Sequence, residues 1–270
     1  LLTRKRRIIE DGGVPDCDPH PILFPFQRDL VRWAARKGRA ALLADCGLGK
    51  TLMQLEWART MPGPCLIVAP LAVASQTIAE GERIGLRIVE VADPTGDPIQ
   101  ITNYEKLRRF DPACYQAIVL DESSILKSVD GRTRTHLIRE WTRVPMRLCC
   151  TATPAPNDIA EMANHAEFIG AMTRAEMLAT FFVHDDEGWR LKGHAREAFW
   201  RWVASWATFL RRPSDLGHDD EGFALPPLRV ADEVVMADYR PAGSLFADTA
   251  KGIGGRLEAR RATIGERVER

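Results

Sequence analysis

The sequence predicts an α/β fold on a mostly parallel sheet, and two observations carry that prediction. Short apolar runs alternate with helical patterns between residues 40 and 151, and a Gly47-Leu48-Gly49-Lys50-Thr51 turn sits between one such run and the helical pattern after it. Strands alternating with helices imply parallel pairing through crossover helices, with both sheet faces covered. In such sheets ligands bind beyond the carboxyl ends of the strands, so the residues that follow each run are the candidates for chemistry.

Taken in order, Phe24-Pro25-Phe26-Gln27 opens a helical pattern, and residues 40–44 form the first apolar run before a helix over 52–59. Further strands are predicted at 65–69, 86–91, 99–102, 117–120 and 146–151. After Thr151 the character turns helical, with Thr173-Arg174-Ala175-Glu176 offering a capping box before residues 177–182. Phe199, Trp202, Val203, Trp206, Phe209 and Leu210 recur at helical spacing and read as one core-facing stripe. Leu225-Pro226-Pro227 reads as a rigid linker, followed by a possible strand at 230–236 and an Arg-rich tail ending at Arg270.

Bulk properties exclude several classes. A chain of 270 residues with 45% apolar composition holds one substantial core or two modest ones. No run approaches the roughly 18 apolar residues of a membrane helix, and Pro70 interrupts the longest. The opening Leu1-Leu2-Thr3-Arg4-Lys5-Arg6-Arg7 has charges where a signal peptide needs its apolar core and no initiator Met, which reads as an excised segment. Six cysteines without regular spacing, two of them adjacent at 149 and 150, suit buried thiols in a reducing, cytoplasmic setting. With 37 basic and 37 acidic residues, any nucleic-acid surface has to be a local patch.

Ala44-Asp45-Cys46-Gly47-Leu48-Gly49-Lys50-Thr51 is the strongest chemical signal. Its glycines let backbone N–H groups wrap a phosphate chain, and the helix that follows adds its positive N-terminal end. Gly47, Leu48, Gly49, Lys50 and Thr51 are the predicted ATP-binding residues, with the Lys50 ammonium on the β and γ phosphates and the Thr51 hydroxyl on Mg²⁺. The strict phosphate-loop pattern has Gly where this chain has Ala44. At the end of run 117–120, Asp121 is placed to reach the Mg²⁺ shell and Glu122 to orient and polarise the attacking water. Thr151 and Thr153, just beyond the last strand, are positioned to hydrogen-bond Asp121 and Glu122 and sense the γ phosphate; the plainer reading is a Pro-rich turn capping the next helix. The Gln27 amide suits the edges of adenine, with an aromatic neighbour on its face.

Together with Leu66-Ile67-Val68-Ala69-Pro70-Leu71 and Ile101-Thr102-Asn103-Tyr104-Glu105, these stretches resemble, in order and spacing, motifs I, Ia, Ib, II and III of superfamily-two helicases. The likeness is greatest to the Swi/Snf-like branch and its compact phage-type members, and it covers roughly residues 20 to 160. It implies a RecA-like lobe that binds Mg-ATP and touches a nucleic-acid backbone near Pro70, Thr102 and Asn103, with largely sequence-independent, salt-dependent binding to DNA. The implied layout is a basic segment at 1–19, the ATP-binding lobe at 20–160, a mainly helical extension packed on it at 161–224, and a linker leading toward a second lobe at 225–270. Two departures stand out. Motif II continues as Ser123-Ser124 where many relatives carry Ala-Asp or His, and no motif V or VI follows, Gly255-Arg256 lacking the surrounding pattern. A second RecA-like lobe or partner subunit is then expected to supply the arginine finger, whose loss costs on the order of 10³ to 10⁵ in rate.

Other readings share the phosphate loop: a non-catalytic, nucleotide-dependent DNA-binding module, or a small-molecule kinase, against which the motifs after Leu66 argue. His184-Asp185-Asp186-Glu187-Gly188 and its echo His218-Asp219-Asp220-Glu221-Gly222 read as a hairpin tip and an exposed loop rather than metal ligands. Cys17 and His20 lack a second pair for zinc.

Overall fold

The computed structural model describes residues 8–127, 131–185, 188–223 and 252–264. They divide into two units, 1–224 and 225–270. The first holds a seven-stranded sheet in which every pairing is parallel, with β1 (Arg39–Ala44), β2 (Cys65–Ala69), β3 (Val89–Glu90), β4 (Ile99–Asn103), β5 (Ala117–Asp121), β6 (Met146–Cys150) and β9 (Ala207–Leu210) in the order β3-β4-β2-β5-β6-β1-β9. A separate antiparallel hairpin pairs β7 (Phe182–Asp185) with β8 (Gly188–Leu191). Asp185 and Gly188 face each other at its end, and the intervening tip residues lie outside the described ones. The second unit contributes α8 (Gly252–Ala262); the Leu225-Pro226-Pro227 linker and the expected strand at 230–236 fall outside the described residues, as does the basic run at Arg4–Arg7.

Strand period two explains why the apolar runs are continuous. On β5, Ile118 and Leu120 belong to one core, while Ala117 and Val119 belong to the other; β2 divides in the same way, with Leu66 and Val68 opposed to Cys65 and Ile67. The Ile67 face is covered by α1 (Pro25–Lys37) and α2 (Lys50–Thr60), which supply Phe26, Leu30, Met53 and Trp57, with α3 (Ala74–Arg83) alongside. The Leu66 face is covered by α4 (Arg132–Glu140), α5 (Met162–Ile169), α6 (Arg174–Phe181) and α7 (Arg196–Val203), which supply Leu137, Phe168, Phe181 and Trp202. The predicted capping box forms, with the Thr173 hydroxyl accepting from Glu176 N at 3.3 Å. Arg147, buried at the start of β6, donates to the Ile169 carbonyl at 2.7 Å and to the Thr142 carbonyl, satisfying the end of α5. Burial brings its pKa down to about 10.

The structure departs from the sequence reading in two places. The helical stripe at 199–210 ends early: α7 stops at Val203, and Ala207–Leu210 form β9 beside β1, with Ala41 opposite Ala207. Phe199, Trp202, Val203, Trp206 and Leu210 are core, but Phe209 faces outward with 46% of its surface exposed. The run predicted as a strand at 86–91 yields only Val89–Glu90, because it is an edge strand with a single partner, β4.

Candidate nucleotide site at the carboxyl edge of the sheet

The Gly-Leu-Gly-Lys-Thr turn is the connection from β1 to α2. Gly47 and Gly49 adopt left-handed backbone with φ of 82° and 75°, which any side chain would oppose. A Cβ on Gly49 would also lie 2.3 Å from the Gln27 amide nitrogen. That amide nitrogen donates to the Leu48 carbonyl at 2.9 Å, and its oxygen accepts from Phe24 N at 2.9 Å. Gln27, expected to read adenine, therefore uses both ends of its amide on its own chain and braces the loop. Lys50, at the first turn of α2, donates to the carbonyls of Ala44 at 2.8 Å and Asp45 at 3.0 Å, folding its ammonium back over the loop. Thr51 follows, half-buried.

Strand order carries the acidic residues to the same edge. β6 lies between β1 and β5, with Cys150 opposite both Leu42 and Asp121. Burial raises the Asp121 carboxyl above the ordinary carboxylate range; the adjacent Gln54 amide opposes that without closing a well-formed hydrogen bond, and Glu122 adds to it. Glu122 occupies left-handed backbone at φ 52°, the one non-glycine residue to do so among those described. Such a conformation costs roughly 1–2 kcal/mol for an L residue. It persists because the side chain is held: Glu122 Oε1 accepts from the Thr151 hydroxyl at 2.6 Å and from the Ser124 hydroxyl at 2.7 Å. Thr151 Oγ1 in turn accepts from Thr153 N at 3.0 Å, so Thr153 takes part through its backbone.

The strand ends expected to touch nucleic acid look different from the reading of the sequence. Thr102 is buried and its hydroxyl donates to the Val91 carbonyl at 2.9 Å; Asn103 is buried and accepts from Lys106 N at 3.0 Å. Neither side chain faces outward: Thr102 ties β4 to the residue after β3, and Asn103 fixes the turn after β4. What that edge presents is Pro70, half-buried, with Leu71 66% exposed, and the exposed Glu105 and Lys127, which line the same cavity.

Three contributors went unread in the sequence. Gln54 lies one helical turn beyond Lys50, a spacing that in hindsight points it the same way. Tyr104 donates to the Asp121 carbonyl at 2.7 Å. His165 on α5 shares a 3.1 Å hydrogen bond with Ser123 across 42 residues of chain, which no local signal reveals. His165 is fully buried, and burial lowers its pKa from 6.5 to about 4 despite the Ser123 contact. The folded state thus refuses a proton that the unfolded chain accepts, so stability is complete above pH 6.5 and declines as pH falls from there toward 4. Compared with a His165→Asn variant in urea unfolding, the wild type should lose roughly 2–3 kcal/mol of its advantage between pH 7 and pH 4.5. A pH-independent gap would contradict the buried neutral imidazole.

A hard divalent cation fits the donor set. Mg²⁺ takes one or two protein oxygens and fills its remaining positions with phosphate and water, which the Thr51 hydroxyl and Asp121 carboxylate match in kind. Among the described residues no group of three or more His, Cys, Asp or Glu forms a cage.

The parallel sheet and the glycine turn running into α2 define a RecA-like phosphate-loop lobe. No family model matches the chain. The SWI/SNF-related matrix-associated actin-dependent regulator of chromatin subfamily A-like protein 1 of Xenopus tropicalis is 31% identical over 165 residues, 52% of this chain and 16% of that protein. Its Xenopus laevis counterpart is 30% identical over 181 residues, 57% of this chain and 18% of the relative. This chain thus spans less than a fifth of the length of the curated relatives it matches. Among solved structures, the Sulfolobus solfataricus SWI2/SNF2 ATPase core in complex with double-stranded DNA superposes with a TM-score of 0.60 at 20% identity, covering 76% of this chain and 46% of that one. The same core domain described without DNA gives 0.57 at 19% identity, covering 76% and 48%. The chain is thus similar over about half its length to SWI/SNF-related proteins and shares its fold with the lobe of a SWI2/SNF2 ATPase core.

Proposed function

We propose that this chain is the first motor lobe of an ATP-dependent DNA translocase or helicase, binding Mg-ATP at the β1–α2 loop and a nucleic-acid backbone along the ends of β2 and β4. The observation that carries the reading is the hydroxyl grip on Glu122, held by Thr151 and Ser124 at the same sheet edge as Lys50. A carboxylate fixed through one oxygen is oriented to take a proton from water with the other. In this reading the loop N–H groups and α2 N-terminus bind the phosphates, and Lys50 leaves its two carbonyls to neutralise them. Mg²⁺, bound with the nucleotide, would neutralise charge developing on the phosphates, held from the protein side by Thr51 and Asp121. Thr151 relates the state of Glu122 to the segment through Thr153.

Residues 20–160 hold the nucleotide in this proposal, 161–224 pack on that lobe, and 225–270 lead toward a second lobe or partner subunit that brings the arginine finger. The setting is the reducing interior of a cell, which suits six free cysteines; among the described residues no helix is long and apolar enough to cross a membrane. DNA is favoured over RNA because the SWI2/SNF2 core with the 0.60 superposition was solved with double-stranded DNA. Nucleic-acid contact is assigned to Pro70 and to the end of β4 at Thr102 and Asn103, with Lys127 as an exposed cation on the same cavity as Pro70.

Duplex binding measured from low to moderate salt tests this. Affinity should be indifferent to sequence and fall linearly in log–log form, with a slope of roughly −0.9 for each phosphate neutralised. Binding of Mg-ATP with no affinity for nucleic acid, together with phosphoryl transfer to a small acceptor, would favour the kinase reading instead.

A further inference from the structure

Tyr104 sits at the turn after β4, where Asn103 lies opposite Ala69 at the end of β2, immediately before Pro70. Its hydroxyl passes the end of β2 to reach β5, two strand spacings or roughly 10 Å away, and donates to the Asp121 carbonyl at 2.7 Å. That carbonyl and the Glu122 N–H belong to one peptide unit. The N–H end is fixed too, donating to Asp121 Oδ1 at 3.1 Å. Rotating this unit exchanges the left-handed Glu122 backbone for an ordinary negative φ, so its two orientations are a discrete pair of states. A cavity of about 250 Å³ is lined by Pro70, Leu71, Tyr104, Glu105, Glu122 and Ser124, so the turn and Glu122 border one open space. Burial of the Tyr104 hydroxyl raises its pKa, with the Asp121 carboxyl adding to the effect, so it remains a donor throughout the physiological range.

We infer that Tyr104 is a positioning residue that couples the β4 turn to the nucleotide site, by holding the 121–122 peptide in the orientation that sets Glu122. The inference rests on the reading of the chain as a nucleotide- and DNA-binding lobe. A backbone phosphate engaging the Pro70 and β4 turns shifts the Tyr104 hydroxyl, and the peptide it holds responds; by reciprocity, nucleotide that rearranges Glu122 alters the grip on DNA.

The test is a binding cycle that needs no turnover. The Kd of a non-hydrolysable Mg-ATP analogue is measured with and without saturating duplex DNA, for the wild type and for Tyr104→Phe, with thermal unfolding as a check on the fold. The wild type should show a ratio in the range of roughly 5- to 150-fold typical of coupled sites. Tyr104→Phe should bring that ratio to within about twofold of one, whatever its effect on the affinity for either ligand alone. A coupling ratio retained in Tyr104→Phe overturns the inference and leaves the proposed function standing; so does a wild type that binds both ligands without coupling. A wild type that binds neither ligand overturns the functional reading itself. Fluorotyrosine NMR gives a second readout that does not depend on the variant folding, since the chain has only Tyr104, Tyr115 and Tyr239. Assigned by elimination with Tyr115→Phe and Tyr239→Phe, the Tyr104 resonance should shift on adding duplex DNA alone, and a stationary resonance in DNA-saturated protein contradicts the coupling role.

Discussion

Replacing Lys50 with Ala should weaken Mg-ATP binding on the order of a hundredfold while leaving the fold intact. The ammonium is at present satisfied by two backbone carbonyls, Ala44 and Asp45, at the rim of the loop. In the proposed complex it exchanges them for phosphate oxygens, and charge-assisted hydrogen bonds of that kind contribute about 3 kcal/mol between them. That figure converts to a factor near 10² in Kd. The loss should fall on nucleotide affinity alone, because Ala is well tolerated in a helix and the neighbouring glycines, Gln27 and Leu48 keep the loop shape without the lysine. Fluorescent-nucleotide titration beside a thermal melt separates the two effects.

Glu122→Gln should have the opposite signature: unchanged Mg-ATP binding and a hydrolysis rate lower by roughly 10² to 10⁴. Gln keeps a carbonyl oxygen where Thr151 and Ser124 donate, so the side chain stays in place at the same strained backbone. What it lacks is the basicity to accept a proton from water. Single-turnover hydrolysis with enzyme in excess reads the chemical step directly. A Gln variant that hydrolyses at the wild-type rate would remove Glu122 from the mechanism and leave Asp121 as the remaining carboxylate of the pair.

How much of this was legible beforehand depends on how local each feature is. The strands at 65–69 and 117–120 could be read because a parallel strand covered on both faces is apolar along its whole length, those at 99–102 and 146–151 from shorter apolar stretches around Gln100 and Arg147, and the observed strands differ from all four by a residue at most. The loop could be read because glycine spacing, a lysine and a flanking helix are all encoded within eight residues. β9 could not: Ala207-Thr208-Phe209-Leu210 is too short to distinguish a period of two from one of 3.6, and pairing with β1, far away in sequence, decides it. The burial of Thr102 and Asn103 could not be read locally, because the Thr102 partner, the Val91 carbonyl, is brought alongside by β3. The left-handed backbone at Glu122 and the Ser123–His165 contact are tertiary facts, produced by hydroxyls and an imidazole that arrive from other elements.

The central claim is that the β1–α2 loop is a Mg-ATP site, and calorimetric titration of Mg-ATP into this chain tests it most directly. The account predicts saturable one-to-one binding that weakens when Mg²⁺ is withheld and weakens about a hundredfold in Lys50→Ala. Absence of saturable binding, or binding at full strength in the Lys50→Ala chain, would contradict it.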